Sequence, residues 1–114
     1  MMIKIYHNPR CSKSRAGVDY LKNKKIQFEI IEYLKSDLRF EELKDIIKKL
    51  EIQPIDLVRK NESIWKEKYK NLEMSHDEII RAMLENPKLI ERPILVKDDK
   101  AVIGRPTENI DKII

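Results

Sequence analysis

Ile5-Tyr6-His7-Asn8-Pro9-Arg10-Cys11-Ser12-Lys13-Ser14-Arg15 is the stretch that orders the rest of the chain. It begins as the end of an alternating run, Ile3-Lys4-Ile5-Tyr6, that reads as a short strand. Asn8 and Pro9 then turn the chain. From Ser12 to about Lys24 the apolar residues Ala16, Val18, Tyr20 and Leu21 give a helical face. Lysines collect at that helix's C-terminal end, where they suit its dipole. Gln27 to Tyr33 reads as a second strand through Phe28, Ile30, Ile31 and Tyr33. Together these pieces predict a β-α-β unit with parallel strands and a right-handed crossover. They also put Cys11 at a helix N-terminus, ringed by His7, Arg10, Lys13 and Arg15, and each of these features favours thiolate over thiol.

Beyond this unit, Asp37 is suited to cap a helix from about Leu38 to Leu50, with Phe40, Leu43, Ile46, Ile47 and Leu50 on one face. Pro54 opens a short helix to Val58. Residues 62–74 give no clear period, although Trp65 and Tyr69 are helix-spaced. Ser75-His76-Asp77-Glu78 matches a capping box for a helix running to about Glu85, before Asn86-Pro87. Pro93-Ile94-Leu95-Val96 and Ala101-Val102-Ile103 flank a short acidic turn and predict a β-hairpin. A last helix runs from Pro106 through Ile114. The order is βαβ, helices, then ββα. With a helical insertion at about 37–87 removed, this is the order of the thioredoxin fold: α/β, with a mixed four-stranded sheet.

Composition narrows the function. At 114 residues the chain is expected to be one domain. No apolar run approaches the roughly 18–20 residues of a membrane span, and no signal peptide is read. With one cysteine, no internal disulfide can form, which fits a reducing cytoplasm. The net charge is +4, unevenly placed. Residues 1–40 hold nine Lys or Arg against four Asp or Glu, and the remainder holds fifteen against sixteen. The surplus travels with the cysteine and suits a small anionic substrate. It is too slight to indicate nucleic acid.

Each candidate residue has a plainer reading beside the functional one. A free cysteine is usually a small buried apolar side chain, but the neighbours of Cys11 are polar and turn-forming. His7 is either a solvated strand-end histidine, an imidazolium that lowers the thiol pKa, or a hydrogen-bond organiser of the loop. Ser14 completes a C-x-x-S pattern and is either an exposed first-turn serine or a hydroxyl donor to the sulfur. A phosphatase loop needs Arg six residues after its Cys, where this chain has Gly17. His7 and His76 with one Cys are too scattered for a metal site. Arg59, Arg92 and Arg105 are singly solvated charges. As a set brought near Cys11, they would make a tetrahedral oxyanion site.

With these residues in hand, the chain resembles the arsenate reductase family of the glutaredoxin-coupled type. Tyr6 to Arg15 is similar to the family's H-N-P-x-C-x-x-S-R signature. Leu57-Val58-Arg59-Lys60-Asn61, Glu91-Arg92-Pro93-Ile94 and Gly104-Arg105-Pro106-Thr107-Glu108 resemble three further blocks. The resemblance implies that Cys11 attacks arsenate and that Arg59, Arg92 and Arg105 bind the oxyanion. It implies that His7 lowers the nucleophile's pKa, that Ser14 holds the thiolate, that Asn8 and Arg15 support the loop, and that Pro93 is a cis-proline facing the cysteine. Glutathione is then a co-substrate and glutaredoxin the partner, with no tightly bound cofactor and a monomeric, cytoplasmic protein. Two alternatives share the fold: a thiol-sensing transcription regulator of the Spx type, which binds RNA polymerase and typically carries C-x-x-C, and a glutathione-dependent thiol transferase.

Overall fold

The computed structural model describes residues 2–35 and 38–114. The chain forms two compact units, Met1–Asp37 with Arg92–Ile114, and Leu38–Glu91.

The first unit is built on a four-stranded sheet. Its strands are β1 (Ile3–Tyr6), β2 (Phe28–Ile31), β3 (Ile94–Lys97) and β4 (Lys100–Ile103), in the order β2-β1-β3-β4. β1 runs parallel to β2, with Ile5 opposite Ile30, and antiparallel to β3, with Ile5 opposite Leu95. β3 and β4 form the antiparallel hairpin, closed by Asp98 in the left-handed region at φ 57°, which Asp tolerates better than most residues. Helix α1 (Ser12–Asn23) connects the parallel strands. It buries Ser14, Gly17, Val18 and Leu21, so the face turned inward is polar and tight at its N-terminal end and aliphatic further on. Ile3, Ile5, Val18, Leu21, Leu95, Ile110 and Ile113 form one apolar core.

The second strand is shorter than its sequence pattern predicts, since Tyr33 lies in a turn although it is buried. The final helix is a 3₁₀ segment, Thr107–Lys112, rather than an α-helix from Pro106 to Ile114. Its bonds, such as Ile113 N–H to the Ile110 carbonyl, span three residues. Asn109 Nδ2 donates to the carbonyls of Ile103 and Arg105 at 3.2 and 2.9 Å, holding the segment's start against the end of β4. Tyr20 Oη donates to Asp111 Oδ1 at 2.6 Å and ties the same segment to α1.

The chain's only two glycines close on one ring. A Cβ on Gly17 would lie 3.0 Å from Pro93 Cγ, and one on Gly104 would lie 2.9 Å from the same atom. Both approaches are closer than a side-chain carbon tolerates without a shift.

The second unit is helical. Helix α2 (Phe40–Leu50) carries Glu41 and Glu42 in its first turn and Lys48 and Lys49 in its last, matching its dipole at both ends. Its N-cap residue is Arg39. The capping role expected of Asp37 falls outside the described residues. Helix α3 (His76–Glu85) starts on a reciprocal capping box: the Glu78 N–H donates to Ser75 Oγ at 3.2 Å and the Ser75 N–H donates to Glu78 Oε1 at 2.8 Å. Pro54–Leu57 and Pro87–Leu89 are 3₁₀ turns. The stretch without a clear period contains a π-helical turn, Trp65–Tyr69, whose two rings stack with centroids 5.6 Å apart. Leu43, Ile46, Ile47, Leu57, Ile80, Met83, Leu89 and Ile90 are buried.

Candidate active site

The loop between β1 and α1 is drawn tight by its own polar groups. The Cys11 N–H donates to the Asn8 carbonyl at 3.0 Å, and the Arg10 N–H donates to Asn8 Oδ1 at 3.0 Å. Asn8 thus uses its main chain and its side chain to fold the turn, as short polar residues do. Arg15 Nη1 donates to the Pro9 carbonyl at 2.8 Å and braces the turn from the helix side.

Ser14 is fully buried beneath this loop. Its Oγ accepts from the Asn8 N–H at 3.0 Å and lies 2.7 Å from His7 Nδ1. The hydroxyl is therefore committed to the loop and to His7. No bond from it to the sulfur is formed, in contrast to the donor role expected of it. Ser14→Ala would leave the buried His7 Nδ1 and Asn8 N–H without that partner. It should cost about 1–3 kcal/mol of folding stability, read as a lower denaturant midpoint at unchanged m-value.

His7 is the loop organiser rather than an imidazolium. Burial pushes its pKa below the ordinary 6.5; Glu32 and Ser14 pull it upward and Arg15 pushes it further down. The shift favours the neutral ring over the imidazolium.

Cys11 occupies the N-cap position of α1, with extended backbone at φ −95° and ψ 122°, and is 9% exposed. Burial acts to raise its pKa. It is outweighed by the hydrogen bond from the Arg92 guanidinium, by the backbone N–H groups of Ser14 and Lys13 at the open end of α1, and by the Arg92 charge. The thiol is brought from 9.0 down to about 7. The charges expected to do this from sequence, on Arg10, Lys13 and Arg15, sit on exposed side chains, where water screens them. The helix terminus does contribute, through its unpaired N–H groups.

Arg92 and Arg105 reach the same sulfur from beside two prolines, and the Arg92–Pro93 and Arg105–Pro106 peptides are both cis. Arg105 Nη2 donates to Cys11 Sγ at 3.4 Å, and its Nε donates to the Arg92 carbonyl at 2.8 Å. The Gly104 N–H donates to the Pro93 carbonyl at 2.9 Å, so the strand ends carrying the two arginines are bonded to each other. Arg59 belongs to the helical unit. Its N–H donates to the Leu89 carbonyl at 2.7 Å, and its Nη2 lies 3.6 Å from Glu62 Oε2. Among the described residues, no group of three His, Cys, Asp or Glu side chains could hold a metal ion.

The site thus combines a thiol that ionises near neutrality with two guanidiniums held against it. Residues 6–113 match the model of the ArsC family. The chain belongs to that family. Several of its relatives are named arsenate reductases. That of Haemophilus influenzae is 42% identical, covering 100% of both chains, and that of Neisseria meningitidis serogroup A is 40% identical, covering 98% of this chain and 97% of the relative. The solved structure of arsenate reductase from Vibrio cholerae superposes with a TM-score of 0.94 at 40% identity, covering 100% of this chain and 98% of that one. The ArsC fold is thioredoxin-like, in agreement with the mixed four-stranded sheet.

Sequence reading placed Cys11 at a helix N-terminus but did not single out the Lys13 and Ser14 N–H groups, and it did not find the contact of Gly17 and Gly104 with Pro93. Main-chain groups leave no mark on residue type. The two glycines were the available signal for the second, since a chain this sparing of glycine places each one for a reason.

Proposed function

We propose that this protein reduces arsenate to arsenite with Cys11 as nucleophile. The observation that carries the reading is the convergence of Arg92 and Arg105 on a single sulfur whose pKa lies near neutrality. The sulfur attacks As(V), an S–As bond forms, and one arsenate oxygen leaves as water after taking up protons. Glutathione then attacks. The two thiols supply the electron pair that takes As(V) to As(III), and they end as a disulfide between Cys11 and glutathione. Glutaredoxin removes the glutathionyl group and restores Cys11. Because the chain has one cysteine, the second thiol comes from another molecule.

The guanidiniums match the other arsenate oxygens in charge and fork geometry, and they stabilise charge that develops at the reacting centre. Arg59 enters this reading on its sequence block alone. Phosphate, similar in shape and charge, acts as a weak competitor. The protein works as a cytoplasmic monomer without a tightly bound cofactor.

The test is a coupled assay that follows NADPH loss with glutathione, glutathione reductase and glutaredoxin, with and without arsenate. Arsenate-dependent loss is the expected result, and its absence sinks the reading. Turnover of a glutathione–protein mixed disulfide in its place would make the protein a thiol transferase. Co-purification with RNA polymerase, without turnover, would make it a regulator.

A further inference from the structure

A groove of about 450 Å³ lies wholly within the helical unit. Its apolar wall is Ile55, Trp65, Leu72, Met74 and Ile79, and its charged residues are Lys60, Lys66 and Lys70. No acidic residue lines it, although the unit as a whole holds eleven Lys or Arg against twelve Asp or Glu. Among the described residues, none of the three lysines has a carboxylate within ion-pair distance, and all three are exposed. A second groove in the same unit differs in kind. It mixes Lys44 and Lys48 with Glu41, Asp45 and Asp77, and pairs Lys44 with Asp77 at 3.8 Å.

The wall of the lysine groove stands on the π-helical turn Trp65–Tyr69, a rare form found disproportionately at functional sites. Leu72, in the same wall, is 59% exposed. We infer that this groove binds an acidic segment of a partner protein, one carrying aliphatic or aromatic anchors between its carboxylates. The argument is charge complementarity laid over an apolar floor. The anchors would cover Leu72 and Met74 and pack on Trp65, while the carboxylates meet the lysines, whose flexible stems can follow them. Three separate ammonium groups suit several carboxylates spaced along a chain better than the single headgroup of an amphiphile. The inference does not depend on the role of Cys11.

Trp65 is the chain's only tryptophan, so its fluorescence reports on the groove directly. The probe is a capped nonapeptide alternating Glu or Asp with Leu and Phe, titrated into the full chain. A saturable change in Trp65 emission is expected, weakening several-fold as salt is raised to physiological strength. Combined Lys60→Glu, Lys66→Glu and Lys70→Glu changes should abolish it, and Leu72→Ser should weaken it several-fold. Both variants alter exposed side chains, and circular dichroism checks that they fold. A control with the same change of charge, Lys22→Glu, Lys100→Glu and Lys112→Glu, should bind like the parent.

The inference is overturned if the peptide leaves Trp65 emission unchanged, or if the charge-reversed variant binds as the parent does. It is equally overturned if a peptide with Ser in place of Leu and Phe binds as well, or if laurate below micellar concentrations saturates the signal while the peptide does not.

Discussion

Cys11→Ser brings arsenate-dependent NADPH loss down to the rate without enzyme, a fall on the order of 10³-fold or more, as when other enzymes lose their nucleophile. The substitution removes one kind of atom and little else. Serine is close to cysteine in size and is itself a favoured N-cap residue, so α1 starts as before and the loop bonds around Asn8 remain. A hydroxyl, however, does not ionise near neutrality, and the groups that bring the thiol to about 7 cannot make an alkoxide of it. The measurement is the coupled rate at saturating arsenate, with folding followed by circular dichroism. A folded variant that still turns over arsenate would show that the attacking atom lies elsewhere.

Arg92→Ala carries the second large effect, and it acts in two ways. The guanidinium provides both the hydrogen bond and the charge that hold the Cys11 pKa down against burial. Without them the thiol moves from about 7 back toward its ordinary 9.0. Thiolate is the deprotonated form, so reactivity rises with pH through the pKa and levels off above it; raising the pKa shifts that rise to higher pH. Alkylation by iodoacetamide at pH 7 should therefore slow on the order of tenfold, with its midpoint displaced upward. Turnover should fall further, by roughly 10²–10³-fold, because a donor to the arsenate oxygens is also lost. An alkylation midpoint still near 7 would remove Arg92 from the site.

The same depressed pKa affects stability. The contribution of Cys11 to folding is fully present above about pH 9 and is lost as pH falls through about 7.

What could be read in advance divides along the line between local and distant contacts. The Ile3–Tyr6 alternation, the Ser75–Glu78 capping box and the apolar hairpin runs each act within a few residues, and all three appear as elements. The final helix and the Trp65–Tyr69 turn carry bonds to distant parts of the chain, Tyr20 Oη to Asp111 Oδ1 and Asn86 Nδ2 to Tyr69 Oη at 3.0 Å, which no local pattern encodes. At the site, Cys11 stood out because its neighbours are polar. The burial of His7 and Ser14 did not, because polar side chains in a turn carry no sign that strands and a helix will close over them. The approach of Arg105 to the sulfur spans 94 positions and is legible only from the arginine blocks taken as a set and from the family resemblance they carry.

The proline ring held between Gly17 and Gly104 restricts how such a sequence can drift. Either glycine can gain a methyl group only if the ring moves, and the ring is joined to the residue that tunes the sulfur. Change at three positions far apart in the chain is thereby coupled: a variant tolerated at one depends on what stands at the other two. Packing and reactivity are inherited together here, and neither can be remodelled alone.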